Sequence, residues 1–179
     1  MKNFLLSLVL VSVFIVTNAQ TEKGDWMVGG NLRLNTSDNN TVIALTPDAG
    51  LFVLNNLAIG GNLIFDYSKV GNIKRTDFGI GPFLRYYFSN ADIRPLLQGN
   101  LNFISSRNKT PVDSYTENGV NYFLGGGLAI FTSDQVSIDG LMGYYHSKYS
   151  KSDGSGGFAL SVGFQVYILR KQMDRVIGK

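Results

Sequence analysis

The chain has no cysteine among its 179 residues, a single histidine, a single tryptophan and only four prolines. Without cysteine there is no disulfide framework, no thiolate metal site and no cysteine nucleophile. Charge of one sign is scarce too. The formal net charge is +3, falling to about +2 once Lys2 is removed with the leader described next, too little and too scattered for a nucleic-acid footprint. Long apolar runs are confined to the start. Phe4 to Val16 is apolar, is preceded by Lys2 and ends in Thr17-Asn18-Ala19; it is shorter than the ~20 residues a spanning helix needs. These features describe a secretory signal peptide over residues 1–19, cleaved after Ala19. No later stretch is long enough for a transmembrane helix. The remaining residues suit one domain, and a chain with nine tyrosines and twelve phenylalanines is not disordered.

What is present is alternation. In "DFGIGPFLRYYF", Phe78, Ile80, Leu84, Tyr86 and Phe88 share one face, and Asp77, Gly79, Gly81, Phe83, Arg85 and Tyr87 the other. A Gly-Ile-Gly-Pro centre rules out a helix, whereas period two describes a strand with one apolar face. The same pattern recurs from Trp26 to Leu34, Ile43 to Val53, Leu57 to Tyr67, Pro95 to Phe103, Val120 to Ile130, Val136 to Tyr145 and Phe158 to Ile168. Eight strands are predicted. Short turns at Asn55-Asn56, Ser89 to Ile93 and Thr132 to Gln135 interleave with longer polar links at Asn35 to Asn40, Ser68 to Arg75, Ser105 to Gly119 and His146 to Ser155. An even number of strands of about ten residues, with short turns at one end and long loops at the other, describes an eight-stranded antiparallel up-and-down transmembrane β-barrel. The domain spans residues 20–168, with a short tail over 169–179.

The rings sort to two levels on the apolar face. Phe65, Tyr67, Phe78, Phe103, Tyr122, Tyr144 and Phe158 fall near the long links, and Trp26, Tyr86 and Phe88 near the short turns. Two aromatic girdles bounding an aliphatic band mark the interfaces of an outer-membrane barrel; a soluble lipid carrier would turn its apolar face inward. Pro47 and Pro82 fall inside strands of a barrel without free edges, and are expected where the ladder is locally broken.

"GPFLRYYF", "AGLFVLNNLAIGGNL" and "FLGGGLAIF" resemble the small OmpA/OmpX-like outer-membrane barrels of the "outer membrane protein beta-barrel domain" or porin family, of the type common in Bacteroidetes. The resemblance covers residues 24 to 168. Ser161, Gly163, Val166 and Ile168 also match the spacing of the barrel-insertion signal on such proteins' last strand. It implies outer-membrane localisation in a Gram-negative bacterium, with structural, adhesive or resistance roles among relatives.

The other face carries Arg33, Asp48, Asp66, Asp77, Arg85 and Asp139. Eight strands leave a bore just wide enough to be filled by side chains, so these charges are expected to pair across a plugged lumen. Lys69, Lys74, Arg75, Arg107, Lys109, Lys148 and Lys151 fall in the long links, a basic loop rim suited to outer-membrane lipid or lipopolysaccharide phosphates. His146 lies beside Ser147, the sole hint of a lipid-modifying enzyme, with no accompanying motif. The reading is a non-enzymatic, monomeric barrel without cofactor. It acts in envelope structure or through an unidentified protein or surface ligand at its loops. A narrow channel or carrier for small hydrophobic solutes is the alternative.

Overall fold

A computed structural model describes residues 21–37, 40–150 and 153–170; side chains of 33–37 and 40 are outside that description. The predicted leader, Lys151 and the tail beyond residue 170 also lie outside it. The chain forms eight strands: β1 (Trp26–Ser37), β2 (Asn40–Leu54), β3 (Leu57–Val70), β4 (Ile73–Tyr87), β5 (Ile93–Lys109), β6 (Ser114–Ser133), β7 (Val136–Tyr149) and β8 (Ser155–Ile168). Each pairs antiparallel with the next, and β8 returns to β1 to close a barrel. We call the end holding Trp26 and Ile168 the terminal end, and the opposite end the far end.

The period of two puts apolar residues outside. Leu128 is 47% exposed and its neighbour Ala129 fully buried, and the same alternation runs along β4, where Phe78, Ile80, Leu84 and Tyr86 face out. So much aliphatic surface on the outside, with carboxylates and carboxamides inside, is the arrangement expected in lipid rather than in water. The rings meet at both levels: across strands toward the far end, Phe65 with Phe78 at 5.2 Å and Tyr144 with Phe158 at 5.9 Å, and along the chain at the end of β4, toward the terminal end, Tyr86 with Phe88 at 5.0 Å. From Phe78 to Phe88, ~3.4 Å per residue at a tilt of ~40° sets the belts ~26 Å apart, matching the ~25 Å apolar band of such barrels.

Pro47 and Pro82 both sit at interruptions. The β2–β3 ladder skips Thr46 and Pro47, and the β4–β5 ladder skips Gly81 and Pro82, without change of register. Glycine is required next to each. Gly30, opposite Pro47, has φ +147°, and a Cβ there would lie 2.4 Å from the Thr46 carbonyl oxygen. A Cβ on Gly81 would lie 1.9 Å from the Leu101 carbonyl oxygen.

The links differ from expectation at the far end. Most of Ser105 to Gly119 is strand, with β5 and β6 paired out to Lys109 and Ser114. Likewise β3 and β4 pair out to Val70 and Ile73, and β7 and β8 from Ser147 and Ser155. The polar links are therefore mainly strand extensions rising beyond the aromatic belt. A polar strand with no apolar face has no period to betray it in the sequence.

One ladder is short. The β1–β8 seam runs only from Trp26/Ile168 to Asn31/Gly163. Beyond it, Leu32 onward in β1 and Val162 back to Ser155 in β8 have no ladder partner in each other.

Candidate functional site

In the terminal half the lumen is filled. Met27, Phe52, Phe83, Tyr87 and Tyr167 pack there with Ala58 and Ala129. Arg85 stands among them, donating from Nη1 to Asp139 Oδ2 at 2.6 Å and from Nε to Gln98 Oε1 at 2.6 Å. Both members of the ion pair are 1% exposed. A third bond reaches the Tyr87 hydroxyl at 3.2 Å, which meets the Tyr167 hydroxyl at 2.9 Å, and Ser137 donates to Asp139 Oδ1 at 2.6 Å. Removing either charge from so dry a pair would leave the other uncompensated.

The terminal mouth is closed as well. Arg94 lies with its guanidinium carbon 3.8 Å from the Phe131 ring centroid, a desolvated cation–π contact, and donates to the Ala91 carbonyl and to Thr21 Oγ1. Thr21 is fully buried and bonded to Asn56. Arg94 was not foreseen, because it falls just before the alternation starting at Pro95.

The expected charged network is thus divided. Arg85 takes Asp139, 54 residues away in sequence. Asp48 accepts from Gln165 at 3.1 Å. Asp66 is half-buried and lines the cavity described below. Asp77 pairs with Arg75, whose Nε reaches both carboxylate oxygens at 3.0 and 3.1 Å. Arg33 lies opposite Ala44 in the ladder, and its side chain is outside the described residues.

Arg75 is accordingly a correction: it faces the lumen beyond the belt, stacked 4.8 Å from the Tyr149 ring, and is no part of a loop rim. Burial alone would lower its pKa, but the bonds and charge of Asp77 outweigh that and hold it above the ordinary value. The other described rim residues are also in strands, not loops, yet Lys69, Lys74, Arg107, Lys109 and Lys148 are exposed on the outside wall. Lys69 is directly opposite Lys74, and Lys74 directly opposite Lys109. Three ammonium groups therefore stand in one row, four residues past the rings of Phe65 and Phe78. Opposed like charges destabilise a ladder unless an anion sits between them.

His146 stacks on Tyr122 with centroids 5.4 Å apart. Tyr122 faces outward, whereas Ser147 accepts from the lumenal Asn121 at 2.9 Å. Adjacent strand residues point to opposite faces, so the two do not form a nucleophile–base pair.

The lumen is not filled throughout. Its far half contains a cavity of about 480 Å³, lined by Asp48, Asn62, Asp66, Asn102 and Tyr145 among others. This qualifies the expectation of a plug: the plug is real but occupies only one half.

No family model matches the chain, and no curated protein sequence does. Solved structures do match in fold. The N-terminal β-barrel domain of Pseudomonas aeruginosa OprF is 11% identical with a TM-score of 0.58, the alignment covering 82% of this chain and 98% of that one. Neisserial surface protein A is 16% identical, again at 0.58, over 79% and 94% of the two chains. The outer membrane protein OprG of P. aeruginosa is 11% identical at 0.51, over 85% and 100%. The chain is therefore similar, in fold, to small eight-stranded barrels of bacterial outer membranes.

Proposed function

We propose that the protein is a non-enzymatic outer-membrane barrel, closed to solutes, with its terminal end in the periplasm and its far end at the cell surface. The observation that carries this reading is the buried Arg85–Asp139 pair set among Tyr87, Tyr167 and Gln98, which fills the bore where a solute would have to pass. The test is conductance of the purified protein in planar bilayers. No steady conductance is expected; size-graded conductance would favour the channel reading.

The surface role is contact with anionic lipid. The row Lys69, Lys74 and Lys109, with Arg107 two residues from Lys109 on the same face, stands just above the outer aromatic belt, at the level of headgroup phosphates, and Lys148 is exposed two strands away on β7. A phosphate between opposed lysines relieves their repulsion. Lys69→Gln/Lys74→Gln/Lys109→Gln should weaken binding to lipopolysaccharide vesicles and reduce its salt dependence. Unchanged binding would sink this contact. The fold neighbours are outer-membrane proteins, which supports the placement.

A further inference from the structure

We infer that the far-half cavity is a binding site for the head of an amphiphile bearing a protonated amine, whose chain leaves the barrel sideways between β1 and β8. The inference rests on the membrane placement proposed above.

The first observation is the wall. Leu32, Leu160 and Val162 belong to the outward apolar series, exposed on the barrel exterior, and all three also line the cavity. In a fully laddered barrel an outward side chain is separated from the lumen by the sheet. Here the β1–β8 ladder stops at Asn31/Gly163, so the cavity opens to the lipid side where these residues flank the gap. The unpaired stretch from Val162 to Ser155 rises ~23 Å at ~3.3 Å per residue along the strand, long enough to admit an extended alkyl chain.

The second observation is the lining. Among the described residues, Asp48 Oδ1, Asn62 Oδ1 and Asn102 Oδ1 are buried without a hydrogen-bond partner, in residues only 7%, 5% and 2% exposed. Asp48 and Asn62 are directly opposite each other across β2 and β3. A buried acceptor left unbonded costs free energy, and all three of these want a donor. Arg85 gives Asp48 no hydrogen bond through Nε or Nη1, which are committed to Gln98, Asp139 and Tyr87. A primary ammonium brings three donors and one positive charge on a single atom. An anionic head would bring further acceptors to a lining that already lacks donors. An uncharged polyol would bring an acceptor with every donor, whereas an ammonium brings donors only. The apolar flanks of the gap then suit the attached chain.

The same chemistry has two sources, an aminophospholipid of the surrounding membrane or a free long-chain amine. The full chain, folded in deuterated nonionic micelles, should bind decylammonium saturably at one per chain. Methylene protons of the ligand should show contacts to the methyls of Leu160 and Val162 by NMR. Asp48→Asn, which keeps the shape of the side chain, should weaken binding about tenfold, the worth of one charge-assisted bond. Asn62→Leu, which replaces one of the acceptors by hydrocarbon, should abolish it, so a folding defect in one variant does not remove the test. Decyl sulfate and decyl glucoside should not compete. Competition by phosphatidylethanolamine, but not phosphatidylcholine, in nanodiscs would assign the membrane source; its absence would assign the free amine. Equal binding of decyl sulfate, or unchanged affinity in both variants, overturns the site. No saturable binding does so too. A chain that stays dispersed without detergent would instead sink the membrane placement, whatever it binds.

Discussion

The two halves of this lumen are made by the same eight strands, yet one is solid and the other hollow. In the terminal half the inward positions hold Phe52, Phe83, Tyr87, Tyr167, Arg85 and Arg94, all essentially buried. In the far half they hold Ala44, Thr46, Asn62, Asn102, Ala159 and Ser161, which line a cavity. Bore width depends on strand number and shear, so the difference lies in side-chain volume. It also lies in pairing. The large groups of the plug spend their polar atoms on one another, whereas the smaller groups opposite leave acceptors unspent. Closure of such a barrel is therefore a property of residues, layer by layer, and not of the fold.

The sharpest way to break the contrast is to remove the centre of the plug. Arg85→Ala strands Asp139 in a dry site and should cost about 3–5 kcal/mol, read as a lower urea midpoint by heat-modifiable gel migration. Conductance should stay at baseline, because Tyr87, Tyr167 and Phe52 still fill the bore. An undiminished midpoint would mean that the pair contributes nothing to closure of that half.

Outside and inside are distinguished by the next pair. Leu128→Arg places a charge on the lipid face at a cost of about 2–4 kcal/mol at mid-bilayer, while Ala129→Ser, one residue on and facing Arg94 and Asp139 across the ladders, should change stability by less than ~1 kcal/mol. Equal loss of folded yield in liposomes for both would overturn the facing. Smaller again is Arg75→Ala. Its pair with Asp77 runs through Nε alone and its side chain is 36% exposed, so solvent screening limits the loss to about 0.2–1 kcal/mol. A loss as large as that of Arg85→Ala would erase the distinction between plug and rim.

The fold was legible because a barrel in lipid writes its period into one face. Leu124, Leu128 and Ile130 alternate with glycine and alanine whatever the partner strand. Where that face enters water the signal stops: Ser114 to Gly119 looks like loop and is strand. Which charges meet was not legible. Asp77 and Asp139 both alternate inward, but Arg85 takes the second because register and closure bring β7 across the lumen. The short seam had no sequence signature either, since β1 and β8 alternate as regularly as the rest.

The smallest effect is expected on the hollow side, and its sign matters more than its size. Asn62 is as buried as the plug residues, so burial alone would rank its loss beside theirs. Its Oδ1, however, has no partner among the described residues, and neither does one oxygen of its neighbour Asp48. Replacing a buried, unsatisfied amide by an apolar group of similar size removes a desolvation cost and forfeits no bond to that atom. It also adds apolar contact in a space where side chains are too few. Asn62→Leu should therefore leave the urea midpoint unchanged or raise it, by up to ~1 kcal/mol. The same change should remove amine binding, separating a residue kept for a ligand from one kept for the fold. A fall comparable to that of Arg85→Ala would mean that the far half, too, is held together by its polar lining.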